Sequence, residues 1–91
     1  MTAEVEVGRN ESRHRYEAIV DGQVAGFLRY TAKPGQTILV HTEVDPAFEG
    51  RGIGSAIARY ALEDVRARGD EVVVQCPFVA AYVKRHPEYA A

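Results

Sequence analysis

Apolar and polar residues alternate at two different periods in the two halves of the chain. In the first half, two runs rich in aromatic and β-branched residues, His14–Val20 and Val24–Tyr30, flank Asp21-Gly22-Gln23. Asp-Gly between such runs is a strong hairpin signal, because both tight-turn positions accept φ > 0 there. Pro34-Gly35 breaks the chain again, and Thr37–Val44 reads as a third strand. Glu4–Val7 reads as a short edge strand. The first half is therefore expected to be an antiparallel meander.

From Ile53 the period becomes helical. Ile53, Ala56, Ile57, Tyr60, Ala61 and Val65 recur at i, i+3, i+4, i+7, i+8 and i+12, while Arg59, Glu63, Asp64 and Arg66 fill the other side. Asp64 and Arg68 stand at i, i+4 in the favourable order, and Gly69 is placed to end the helix. Glu71–Cys76 is a short apolar strand. A strand–helix–strand passage sets its two strands parallel through a right-handed crossover. Pro77 suits the first turn of a closing helix whose apolar face is Phe78, Val79, Tyr82 and Val83, with Pro87 beyond its end. These elements predict an α/β (α+β) fold: a mixed, mainly antiparallel sheet with two helices, read as one domain over residues 1–91.

Composition changes this picture little. Of 91 residues, 46% are hydrophobic and 26% charged, as in ordinary globular domains. The formal net charge of −2 gives no basic stripe for nucleic acid. No apolar run approaches the roughly 18 residues of a membrane span. The first ten residues do not read as a signal peptide. The single cysteine, Cys76, has no internal disulfide partner, which suits a reducing compartment. The expectation is a cytoplasmic protein. His14, His41 and His86 show no metal-ligand spacing with one another or with Cys76, so no metal is expected.

The chemistry is concentrated in Glu49-Gly50-Arg51-Gly52-Ile53-Gly54-Ser55, at the start of the long helix. A helix start offers unpaired N–H groups and a partial positive charge, and phosphate is a natural guest there. Glycines let backbone touch such a guest, Arg51 adds a cation and Ser55 a hydroxyl. The alternative is a tight strand-to-helix turn whose glycines serve packing alone. The dinucleotide fingerprint G-x-G-x-x-G aligns only in part, because Ser55 takes the third glycine's place and an antiparallel meander comes before it. No G-x-x-x-x-G-K-[ST] is present.

The order meander, Gly-rich loop, helix, strand, helix resembles the GNAT superfamily of acyl-CoA-dependent N-acyltransferases, whose pyrophosphate loop reads [QR]-x-x-G-x-[GA]. Here it is Glu49 to Gly54, with Glu49 where Gln or Arg is usual. The ending "CPFVAAYVKRHPEY" is similar to that of small stand-alone GNAT-like proteins with Cys-Pro after the last core strand and a His-Pro-Glu-Tyr close. The resemblance implies a minimal GNAT-like fold and acetyl-CoA-dependent N-acetyl transfer to an amine, either a small amine or a protein lysine. It implies that Arg51, Gly52, Ile53, Gly54 and Ser55 hold the pyrophosphate and that the Val44 main chain meets pantetheine. Three residues are candidates for chemistry. Glu43, sharing a strand side with His41, is the first choice of base, the alternative being a solvated strand face. Tyr82 is the candidate proton donor to the leaving thiolate, the alternative being a core aromatic with its hydroxyl at the rim. Cys76, beside a helix start that favours thiolate, is a candidate transient acyl carrier, the alternative being a small buried residue at a strand end. The competing functions are a non-catalytic acyl-CoA or CoA-binding module and a protein-interaction domain.

Overall fold

The computed structural model describes residues 5–89. Five strands, β1 (Val5–Asn10), β2 (Arg15–Val20), β3 (Gln23–Lys33), β4 (Gln36–Val44) and β5 (Glu71–Val74), form one sheet in the order β1-β2-β3-β4-β5. The first three pairings are antiparallel and β4–β5 is parallel. Helix α1 (Ile53–Ala67) joins β4 to β5, and α2 (Pro77–Arg85) follows β5. This is the expected mixed, mainly antiparallel sheet with two helices. The edge strand is longer than expected, running to Asn10, and Glu4 lies outside the described residues.

Alternation decides which strand residues are buried. Tyr16, Ala18 and Val20 on β2, Leu28 and Tyr30 on β3, and Thr37 and Leu39 on β4 all point to one side. That side forms a single cluster with Ile53, Ile57, Ala58, Ala61 and Leu62 of α1 and with Val79 and Tyr82 of α2. Each large aliphatic residue buried this way contributes about 1.5–3 kcal/mol, so packing rather than intrinsic propensity holds α1. The helix ends in a Schellman motif: Gly69 (φ 74°) donates to the Arg66 carbonyl at 3.0 Å and Asp70 to that of Val65 at 3.2 Å.

The buried stripe of α1 corrects the expected one. It is Ile53, Gly54, Ile57, Ala58, Ala61, Leu62 and Val65. Tyr60 is exposed, its ring edge-on to Tyr16 at 6.0 Å, and Ala56 is only half-buried. The stripe is turned toward Ala58 and Leu62 because the helix is anchored on its Asp64 side. Asp64 accepts from the Tyr16 hydroxyl at 2.8 Å, from Arg9 at 3.3 Å and from Arg68 at 2.9 Å, and Arg9 also donates to the Tyr30 hydroxyl at 2.9 Å. Phe78, expected on the apolar face of α2, is exposed.

Two bulges shift strand phase. The β2–β3 register slips between Ala18 and Ile19, with Ala25 as the extra residue, and the β3–β4 register slips between Arg29 and Tyr30, with Val40 as the extra residue. The second slip matters most. Thr37 and Leu39 face the helices, and beyond the extra residue it is Thr42 and Val44 that do so. His41 and Glu43 consequently lie on the open face, opposite Arg29 and Phe27.

Candidate active site at the β4–β5 fork

Strands β4 and β5 run side by side only from Gln36–Leu39 against Glu71–Val74. The last contacts are two bonds to the same acceptor: Gln75 N–H at 2.9 Å and Cys76 N–H at 3.1 Å, both to the Leu39 carbonyl. Past that point no strand pairs with the outer edge of β4 among the described residues. The strands therefore open into a fork with Val40–Val44 as one arm and Cys76 as the other. The bulge at Val40 bends β4 away at the place where pairing stops.

Cys76 is the N-cap residue of α2, with extended backbone (φ −74°, ψ 122°), and Pro77 follows as the first helical residue. The thiol is buried, and Sγ lies 3.2 Å from the Thr42 hydroxyl across the fork. Burial alone would raise the thiol pKa. The Thr42 hydroxyl and the backbone at Val79, Phe78 and Thr42 outweigh it, so the net direction is downward, although no full side-chain capping bond forms. Thr42 was not singled out by the sequence. Its contact with a residue 34 positions away depends on the bulge, and no local pattern announces it.

The glycine loop lies at the same end of the sheet. Asp45 accepts from Ala47 N–H at 2.9 Å and starts a 3-10 turn at Pro46–Phe48. Gly50 (φ 81°) and Gly52 (φ 72°) then take left-handed conformations, with Gly52 the N-cap of α1. Both face open space, where an added Cβ would meet nothing within 4 Å. No carbonyl or side chain takes the N–H groups of Ile53, Gly54 and Ser55 among the described residues, and the first turn has no acidic side chain. The electropositive end of a four-turn helix is thus uncapped and open. Arg51 stands beside it with its guanidinium over the Phe48 ring at 5.5 Å, and the Glu49 carboxylate is exposed. These features fit a diphosphate. Gly54 has a different reason. A Cβ there would fall 2.7 Å from the Phe78 ring, so this glycine admits α2 against α1. Gly26 does the same beneath Ile53, where a Cβ would lie 2.8 Å from the Glu43 carbonyl and 3.2 Å from the Ile53 side chain.

The three candidates for chemistry are not gathered in one cluster. Cys76 is at the fork on the helix side. Glu43 is on the open face, 3.2 Å from His41, its side chain 61% exposed. It walls a depression of about 500 Å³ together with Phe27, Val44 and Asp45. Tyr82 is buried on α2, stacked on His86 at 4.1 Å, and lines a second depression between α1 and α2 with Ser55. No buried side-chain nitrogen or oxygen lacks a partner among the described residues, so the Tyr82 hydroxyl, which has no partner there, reaches open space. Val44 packs its side chain on the core while its backbone lies on the open edge of β4. Among the described residues no helix is long and apolar enough to cross a membrane.

Comparison with known proteins points to a family. A family model described as GCN5-related N-acetyl-transferase matches residues 15–91. The protein NATD1 of Xenopus tropicalis is 28% identical over 88 residues, covering 94% of this chain and 81% of its own length. NATD1 of Gallus gallus and of Homo sapiens are each 39% identical over 49 residues, or 54% of this chain. Those matches span 44% and 43% of the relatives' own lengths.

Proposed function

The chain belongs to the GCN5-related N-acetyltransferase family, and from that premise we propose that it transfers an acetyl group from acetyl-CoA to an amine. The observation that carries the proposal is the fork. An unpaired β4 edge, a polarised thiol and an uncapped helix start share one end of the sheet. Bound acetyl-CoA supplies an activated acyl thioester, and the chain's own residues supply everything else.

The N–H groups of Ile53, Gly54 and Ser55, with Arg51, bind the diphosphate. The β4 main chain at Val44 holds the amide-bearing arm, so the reactive carbon is oriented along an edge that already wants hydrogen-bond partners. Glu43 faces the depression on the other side of the sheet and takes the proton from the incoming ammonium. The Tyr82 hydroxyl returns a proton to the departing thiolate. Cys76 offers a second route. Its thiolate attacks the thioester carbon, the bond to the coenzyme sulfur breaks, and coenzyme A leaves carrying the proton. The amine then displaces Cys76 from the acyl group.

Calorimetric titration with acetyl-CoA and with CoA, followed by thiol-release assays over a panel of amines, tests the proposal. Saturable binding with amine-dependent thiol release is expected. Binding without transfer to any amine would make the chain a coenzyme-binding module, and no binding would refute the coenzyme reading altogether. Mass spectrometry under acetyl-CoA isolates the Cys76 route, because an adduct lost in Cys76→Ala is required by it.

A further inference from the structure

Glu43 is one wall of the open-face depression, and the rest of its lining defines what can enter. Val24, Phe27 and Pro46 supply apolar surface. Val24 is 41% exposed, so this surface stands open for a hydrocarbon chain to cover. The charged members are Arg15, Glu43 and Asp45. Arg15 is already engaged: its Nε donates to Glu17 at 2.6 Å, and its guanidinium lies over the Phe27 ring at 4.6 Å. The two carboxylates are engaged on one oxygen each. Glu43 Oε1 lies 3.2 Å from His41 Nε2, and Asp45 Oδ1 accepts from Ala47 N–H at 2.9 Å. Glu43 Oε2 and Asp45 Oδ2 have no hydrogen-bond partner among the described residues.

Their spacing selects the ligand. Asp45 continues the extended backbone of β4 (φ −60°, ψ 130°), and its N–H donates to the Ala25 carbonyl at 2.8 Å. Alternation therefore carries Glu43 and Asp45 to the same side of the sheet. Two residues of strand set them about 7 Å apart, a gap that a chain of about four methylenes spans. We infer that the depression takes a linear aliphatic diamine or polyamine as the acetyl acceptor, with the reacting nitrogen at Glu43, the second ammonium on Asp45 and the methylenes against Val24 and Phe27. An ammonium is a compact charge with three donors, which suits the free carboxylate oxygens. The reacting nitrogen gives one proton to Glu43 and bonds to the acyl carbon. The carbon–sulfur bond breaks, and a second proton from the nitrogen ends on the departing sulfur. A free amino acid fits poorly, because its own carboxylate would face Glu43 and Asp45 while Arg15 is held by Glu17. The inference rests on the acetyl-transfer reading and deepens it by naming the acceptor class.

The test measures thiol release at saturating acetyl-CoA, at fixed pH and ionic strength, with butane-1,4-diamine and with n-butylamine. The wild type should show kcat/KM about tenfold higher for the diamine. Two equivalent ends account for only about twofold of this, as a statistical factor. Asp45→Asn keeps the oxygen that accepts from Ala47 and removes the charge, so its ratio should fall to that statistical floor. Asp21→Asn removes a carboxylate from the β2–β3 turn, at the same end of the sheet but outside the depression, and should keep the full ratio. A wild-type ratio at the statistical floor would overturn the inference and leave acetyl transfer standing. A ratio lost equally in Asp21→Asn would overturn it too, reducing the effect to general surface charge. So would a higher kcat/KM for a lysine-containing peptide than for the diamine. Binding of acetyl-CoA with no thiol release to any amine would overturn both readings.

Discussion

Gly52 and Gly35 form a matched pair for testing the loop. Both have left-handed backbone (φ 72° and 71°), and at both an added Cβ meets nothing within 4 Å. Gly35 lies in the β3–β4 turn, at the opposite end of β4 from the fork. An alanine held at such angles costs about 1–2 kcal/mol. Reduced freedom in the unfolded chain returns about 0.4–1 kcal/mol of this. Each Gly→Ala variant should therefore lose about 1 kcal/mol, lowering Tm by about 4–8 °C for a domain of this size. Their ligand responses should separate. CoA at a hundredfold excess over Kd stabilises the folded state by about 2.7 kcal/mol, a Tm rise of about 10 °C or more. Gly35→Ala should keep that rise. In Gly52→Ala the methyl group stands where the diphosphate approaches the Ile53–Ser55 N–H groups. Losing one or two charge-assisted bonds at about 1.5–3 kcal/mol each weakens binding tenfold or more. Thermal shift with and without CoA reads both quantities in one experiment. Equal weakening in the two variants, or an undiminished shift in Gly52→Ala, would refute the loop as the diphosphate seat.

Three further outcomes follow from the packing. Burial pushes the Asp64 carboxyl up, but bonds from Tyr16, Arg68 and Arg9 outweigh it and hold the folded-state pKa below the ordinary 3.8. The stability it contributes is whole above that ordinary value and is lost as pH falls through the lower folded one. Asp64→Asn should cost about 1–3 kcal/mol at neutral pH, with a gap from wild type that narrows in acid, as read by urea melts at several pH values. Thr42→Val removes the hydroxyl that favours the Cys76 thiolate, so the thiol should titrate at higher pH when followed by thiolate absorbance. An unchanged titration would show that the helix start alone polarises the sulfur. Deleting Val40 removes the extra residue and leaves Thr42 and Val44 toward the helices with His41 and Glu43 still outside, so the variant should fold with a loss of about 1–3 kcal/mol, read by thermal melts. A deletion variant that does not fold would refute the assignment of Val40 as the extra residue.

Element order was legible because each period is long enough to be unambiguous. Fifteen residues of helical spacing end at a glycine, and the meander is punctuated by Asp21-Gly22 and Pro34-Gly35. The helix face was less legible. Either of two adjacent stripes on α1 satisfies the spacing, and the choice is made by Asp64, whose partners Arg9 and Tyr16 lie far away in sequence. The loop was legible as a possible phosphate seat, yet its three glycines looked alike. Only the structure separates Gly50 and Gly52, needed for backbone angle, from Gly54, needed to admit Phe78. Thr42 carried no motif. Its contact with Cys76 arises where two elements meet, and a linear pattern does not record that.

The bulge at Val40 ties the fold to its chemistry. Thr37-Ile38-Leu39-Val40 is apolar or uncharged on both faces, so the sequence tolerates a phase change there without exposing a large side chain or burying a charge. Placed one turn of the pleat later, the same slip would fall among His41, Thr42 and Glu43, where phase decides which side receives a carboxylate. The slip also coincides with the last residue of β4 that β5 can pair with, because two N–H groups, of Gln75 and Cys76, converge on the Leu39 carbonyl and end the ladder. With Val40 in the chain, the bulge thus opens the fork, keeps Thr42 toward Cys76 and leaves Glu43 on the far face. A thiol and a carboxylate on opposite sides of a strand edge suit a reaction whose two substrates must approach from opposite sides, with the acyl carbon held at the edge between them.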